Sequence, residues 1–137
     1  PETGRYSVSA GTVTANLGDF WMYMDSGWFL VRKGKFFEAV GKLKSAVAIN
    51  PNSADAHSKL GYAYKKTNNS ALAEKEFLKA ISLNDKEFYA RMHLGLMYYS
   101  DDKSAAALNL FRKAIEIEPQ GRYADLLNEK IKEIEEK

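Results

Sequence analysis

One spacing limits what this chain can become: Leu60-Gly61-x-x-Tyr64 returns 34 residues later as Leu94-Gly95-x-x-Tyr98. The surrounding residues return in step. Ala73, Phe77 and Ala80 follow the first copy, and Ala107, Phe111 and Ala114 follow the second at the same offsets. A weaker copy stands 34 residues upstream as Ser26-Gly27-x-x-Leu30, then Ala39, Leu43 and Ala46. Pro51 and Pro119 close the first and third copies, and Asp85 holds the corresponding place in the second. So regular a period implies a repeat architecture, in which each unit is one supersecondary element stacked on its neighbour.

The punctuation of the chain predicts two helices per unit. In residues 20–53 the helices are expected at 20–33 and 36–49. Gly34 supplies the turn, and Asn50-Pro51 ends the second helix, because proline cannot continue it. In residues 54–87 they are expected at 54–66 and 70–83, with Asn68-Asn69 between them; asparagine tolerates the left-handed region. In residues 88–121 they are expected at 88–99 and 104–117, with Asp101-Asp102-Lys103 between them. Asp19, Ser70 and Ser104 are the expected N-caps. Residues 122–137 read as one more amphipathic helix, with Tyr123, Leu126, Leu127, Ile131 and Ile134 on its apolar side. A helix with one wet face ends a solenoid without exposing its core. Ahead of the repeats, residues 1–19 alternate apolar and polar residues through Tyr6, Val8 and Ala10, then Val13, Ala15 and Leu17. Period two predicts an extended arm or short hairpin, with a short helix through Val13 and Leu17 as the alternative.

These residues carry a resemblance to the tetratricopeptide repeat family, whose pattern is W-x2-L-G-x2-Y, then A-x3-F, then P, at period 34. It covers residues 20–121 in three in-phase copies, and the last helix is similar to the family's solvating cap. Tyr23, His57 and Arg91 stand in place of the tryptophan, and Ser26 and Leu30 replace the leucine and tyrosine of the first copy. The resemblance implies an all-α, right-handed α-solenoid of three helix–turn–helix repeats plus a capping helix. Packing logic agrees with it. Gly27, Gly61 and Gly95 lie inside helices, where glycine costs about 1 kcal/mol relative to alanine. Close approach of the second helix of the same repeat offsets that cost, with Ala39, Ala73 and Ala107 as its small partners. Phe77 and Phe111 are expected to wedge between repeats.

In this family the first helix of each repeat lines a concave surface that binds partner proteins. Three-and-four spacing then selects Trp21, Met24, Trp28 and Val31; Asp55, Ser58, Tyr62, Lys65 and Lys66; and Tyr89, Met92, Leu96 and Tyr99. The cap adds Tyr123, Leu126 and Lys130. The expected groove is aromatic and methionine-rich at one end and basic in the middle, a composition suited to anchoring a peptide or helix. Family members that hold chaperone tails use a lysine–asparagine clamp. Met24, Trp28 and Tyr62 occupy those places here, which argues against that ligand.

One segment stands apart. Residues 20–31 read FWMYMDSGWFLV, with only Asp25 and Ser26 carrying polar side chains. A helix apolar nearly all round must be covered nearly all round. The expected covers are the arm, through Val8, Val13 and Leu17, a second copy of the chain, or a partner.

Other function classes find little support. There are no cysteines, hence no disulfide or thiolate chemistry, and the two histidines, His57 and His93, make no metal-ligand pattern. His57 is expected to be a packed ring. No Gly-rich phosphate loop, GxSxG or HExxH occurs, so neither enzymatic activity nor a cofactor is expected. Net charge is +2, with 20 basic against 18 acidic residues. That near balance argues against nucleic acid, although Tyr62, Tyr89 and Lys65-Lys66 are the residues a helical-repeat RNA binder would use. No apolar run approaches the length of a membrane span. The sequence starts at Pro1 without Met. A cytoplasmic location is favoured, and the missing Met leaves room for a removed leader or for a docking domain cut from a larger membrane-associated assembly factor.

Overall fold

The computed structural model describes residues 6–7, 14–15 and 17–137. Two short strands, β1 (Tyr6–Ser7) and β2 (Thr14–Ala15), pair antiparallel, Tyr6 opposite Ala15 and Ser7 opposite Thr14. Seven helices follow: α1 (Leu17–Arg32), α2 (Phe36–Ile49), α3 (Ala54–Lys66), α4 (Ser70–Leu83), α5 (Phe88–Ser100), α6 (Ser104–Ile117) and α7 (Ala124–Glu135). The pairs α1–α2, α3–α4 and α5–α6 each pack on themselves, and α2–α3, α4–α5 and α6–α7 join them in a row. The result is an all-α solenoid of helix pairs.

The turn inside each pair is built the same way three times. Gly34, Asn68 and Asp102, each 34 residues from the next, are the described residues with positive φ, at 77°, 63° and 59°. The amide after each reaches back to close the helix: Lys35 N donates to Leu30 O, Asn69 N to Tyr64 O and Lys103 N to Tyr98 O, at 2.8–2.9 Å. This is the six-to-one bond that satisfies a helix's last carbonyls when the following residue is left-handed. Glycine, asparagine and aspartate meet that need at least strain.

Gly27, Gly61 and Gly95 are sites of close approach, but their partners differ from those expected. A Cβ on Gly61 would stand 2.8 Å from the Phe77 ring, one on Gly95 2.6 Å from the Phe111 ring, and one on Gly27 2.7 Å from Leu43 Cγ. Phe77 and Phe111 therefore lie on the glycine of their own repeat. Ala39, Ala73 and Ala107 are fully buried beside them.

The capping expectations need correction. α1 starts at Leu17, so Gly18 and Asp19 lie in its first turn, and the expected arm of residues 1–19 loses its last three residues to the helix. Ser70 and Ser104 are the first helical residues of α4 and α6; Asn69 and Lys103 hold the cap positions without a side-chain cap bond. Ser53 is a working cap, its hydroxyl accepting from Ala56 N at 3.1 Å. The expected arm contacts through Val8 and Val13 lie outside the described residues.

Two apolar clusters fill the row. One runs from Phe20 and Met24 through Leu43, Leu60 and Phe77 to Leu94. The other joins Phe88, Met92 and Phe111 to Leu127 of α7, so the last helix does cover the end of the core. The residues in place of the tryptophan tie the repeats by polar contacts. His57 Nδ1 faces Glu76 Oε1 at 2.6 Å and its Nε2 faces the Pro51 carbonyl at 2.7 Å. Arg91 donates to the Asp85 carbonyl and to its carboxylate. Each side chain therefore holds the loop that precedes its own repeat. No described buried side-chain nitrogen or oxygen lacks a partner.

Candidate partner-binding groove

The first helices α1, α3 and α5 and the turn before α7 enclose an open cavity of about 500 Å³. Trp28 and Val31 come from α1; Asp55, Ser58 and Tyr62 from α3; Tyr89 from α5; and Tyr123 from the turn before α7. All seven are residues that the spacing selected. Their rings form two pairs, Trp28 with Tyr62 at 5.8 Å between centroids and Tyr89 with Tyr123 at 6.1 Å. Tyr62 continues into His93 at 4.8 Å, and His93 stacks on Phe77 at 5.9 Å, so this wall rests on the core.

The rest of the expected groove lies elsewhere. Met24 and Met92 are core residues, 3% and 2% exposed. Met24 sits on the buried stripe Phe20, Met24, Gly27, Val31 that packs on the second helix. Trp21 is half exposed, its ring edge-on to Phe20 at 4.9 Å, and does not line the cavity. Leu96 packs against the second core cluster. The Tyr99 hydroxyl donates to Glu133, with Lys130 4.9 Å over the ring, so these two belong to the α5–α7 junction. Leu126 is exposed and outside the lining. Lys65 stands 3.5 Å from His93 Nδ1, and Lys66 lies 5.7 Å over both Phe36 and Tyr62, so both stand behind the wall.

Five lining residues escaped the sequence reading: Arg32, Lys59, Glu87, His93 and Arg122. Lys59 and His93 follow Asp55 and Tyr89 by four residues, one helical turn along the same face, and that step could have found them. Glu87 and Arg122 come from the loops between helices, where helical spacing gives no signal.

The cavity mixes charge with aromatic surface. Lys59 is held 2.6 Å from Asp55 and 4.9 Å over the Trp28 ring, and the Arg122 guanidinium lies 5.5 Å over Tyr123. Burial pushes the Glu87 carboxyl above its usual range, with Asp55 adding to the effect and Ser58 and Lys59 opposing it. Burial pulls His93 down to about 3, aided by Lys65 and Lys66, so its ring is neutral near pH 7. Burial and then Lys66 lower Lys65. Among the described residues no group of three His, Asp or Glu could hold a metal ion. No described helix is long and apolar enough to cross a membrane.

α1 also carries a second exposed apolar face. Met22 and Phe29 are 53% and 50% exposed, beside Leu17 and Trp21. One repeat later their places are taken by Ala56 and Ala63, both fully buried under the preceding helix pair.

Two family models match, one described as TPR repeat over residues 30–68 and one as tetratricopeptide repeat over residues 58–122. No curated protein matches the sequence. Among solved structures, the chain is similar to the first TPR of Spaghetti (RPAP3) bound to the HSP90 peptide SRMEEVD. Identity is 19% and the TM-score 0.80, with 89% of this chain and 94% of that one covered. The Arabidopsis OM64 TPR domain is 20% identical with a TM-score of 0.81, covering 87% of this chain and 98% of that one. A double mutant of MamA RS-1 is 28% identical with a TM-score of 0.68, over 73% of this chain and 56% of that one.

Proposed function

This chain belongs to the tetratricopeptide repeat family, whose models span residues 30–122 between them, and from that premise we propose that it is a non-enzymatic protein-interaction module. It holds a peptide or helix of a partner protein in the groove formed by α1, α3, α5 and the turn before α7. The observation that carries this reading is the cavity lined by two aromatic pairs, Trp28–Tyr62 across the first two repeats and Tyr89–Tyr123 from the third repeat to the turn before α7. Aromatic rings supply large contact area at low entropic cost and dominate binding hot spots. Trp28, Tyr62 and Tyr89 stand on helices packed into the core clusters, so little ordering is left for binding to oppose. The peptide-bound structure of a similar repeat domain adds weight to a peptide ligand. A chaperone tail remains outside the reading, since Met24, Trp28 and Tyr62 replace the clamp.

The test is affinity capture with the wild type, the Trp28→Ala/Tyr62→Ala double variant and a Leu72→Ser/Lys79→Ala control on the second helix of the middle repeat. Partners lost in the first variant and kept by the control define the groove ligand. Equal recovery by all three would refute the groove as the binding site.

A further inference from the structure

We propose that the groove selects an acidic segment of its partner, read through internal Asp or Glu side chains that flank one apolar or aromatic anchor. The inference rests on the groove reading above and adds the chemistry of the ligand.

The charges carry it. The cavity takes Arg32 from α1, Lys59 from α3 and Arg122 from the turn before α7, against Asp55 and Glu87. Asp55 is already paired with Lys59 at 2.6 Å, so these two offset one another. Behind the wall stand Lys65, against His93, and Lys66, over Tyr62. With Lys59 and Asp55 set against each other, Arg32 and Arg122 line the cavity opposite the one remaining carboxylate, Glu87, which already takes hydrogen bonds from Ser58 and the Ala90 amide. Among the described residues neither Arg32 nor Arg122 makes an ion pair. A guanidinium left unpaired in a cleft offers a carboxylate two parallel hydrogen bonds.

The placement of those cations sets the pattern of the ligand. Arg32 belongs to the first repeat and Arg122 follows the third, so the two guanidiniums that line the cavity come from the first and the last elements that build it. That arrangement fits acidic side chains on either side of an anchor. Lys59 and Arg122 lie over the faces of Trp28 and Tyr123, so a ligand meets charge and ring surface together.

The experiment selects a random peptide library on the full chain, with Trp28→Ala/Tyr62→Ala as counter-target. Enriched peptides are then synthesised with free and with amidated C-termini, and affinity is read by fluorescence anisotropy. Net-negative peptides are expected. Their amides should bind within about threefold of the free acids, and affinity should fall as salt screens the charges. Arg32→Gln/Arg122→Gln, checked for wild-type helicity and unfolding midpoint, should weaken binding by about tenfold or more. Neutral or basic groove-dependent peptides, or a requirement for the free carboxylate, would overturn the acidic inference and leave the groove reading standing. Peptides that bind the counter-target equally well would overturn both.

Discussion

Gly27, Gly61 and Gly95 show what the repeat motif does at the level of one residue. Each leaves room for a large side chain of the neighbouring helix, and none of the three lines the cavity. Gly61→Ala should therefore destabilise the chain by about 1–3 kcal/mol, because overpacking against Phe77 outweighs the gain of about 1 kcal/mol in helix propensity. Gly41, inside α2 with nothing within 4 Å of an added Cβ, is the control, and Gly41→Ala should stabilise by up to about 1 kcal/mol. Urea denaturation of both variants checks the pair; two changes of the same sign would contradict the packing account. His93 makes a second residue-scale prediction. Its pKa falls from 6.5 to about 3 on folding, so between those values the unfolded chain binds the proton and the folded chain does not. Stability from this group is therefore present above pH 6.5 and is lost as pH falls, at up to about 1.4 kcal/mol per pH unit. The stability of His93→Phe relative to wild type should rise steadily from pH 6.5 to pH 4 in parallel denaturation series. Parallel curves would show that His93 is not the group titrating.

Whole helices obey the repeat register, and α1 departs from it in a way that can be measured. Met22 and Phe29 are half exposed where Ala56 and Ala63 are fully buried. The small residues let α2 lie close on α3; nothing in the described structure imposes that limit on α1. Ala56→Met should then cost about 2–3 kcal/mol through overpacking, while Met22→Ala should cost less than about 1 kcal/mol. Equal costs in chemical denaturation would mean that the face of α1 is covered. The helices themselves were legible because the 34-residue period, Gly34, Asn68 and Asp102 mark every turn. Their first residues were not. Asp19 and Ser70 look like caps in one dimension, yet the chain enters α1 and α4 at Leu17 and Ser70, and no side-chain cap bond decides the start of α4. Met24 and Met92 were misplaced for a related reason. Helical spacing separates faces by only about 100° per residue, so a core stripe and a groove stripe overlap at their edges.

At the scale of the molecule, the groove is where separate repeats meet, and its composition depends on parts of the chain far apart in sequence. Trp28 and Tyr62 share one position of the 34-residue repeat and Tyr89 and Tyr123 another, seven residues away on the same helical face, so each pair could be picked out by spacing. Glu87 and Arg122 reach the same cavity from loops, and their charges, with Arg32 and Lys59, became visible only once the solenoid was built. On the reading proposed above, the aromatic pairs supply the anchor and the unpaired arginines the preference for charge, so partner choice belongs to the stack as a whole. The most direct measurement places a photo-crosslinking phenylalanine derivative at Tyr89, which lines the cavity and is 46% exposed, and separately at Lys79, exposed on α4. With the partner recovered by affinity capture, crosslinking should occur from position 89, disappear in the Trp28→Ala/Tyr62→Ala background and be absent from position 79. Crosslinks from position 79 that persist in that background, with none from position 89, would contradict the groove as the site of binding.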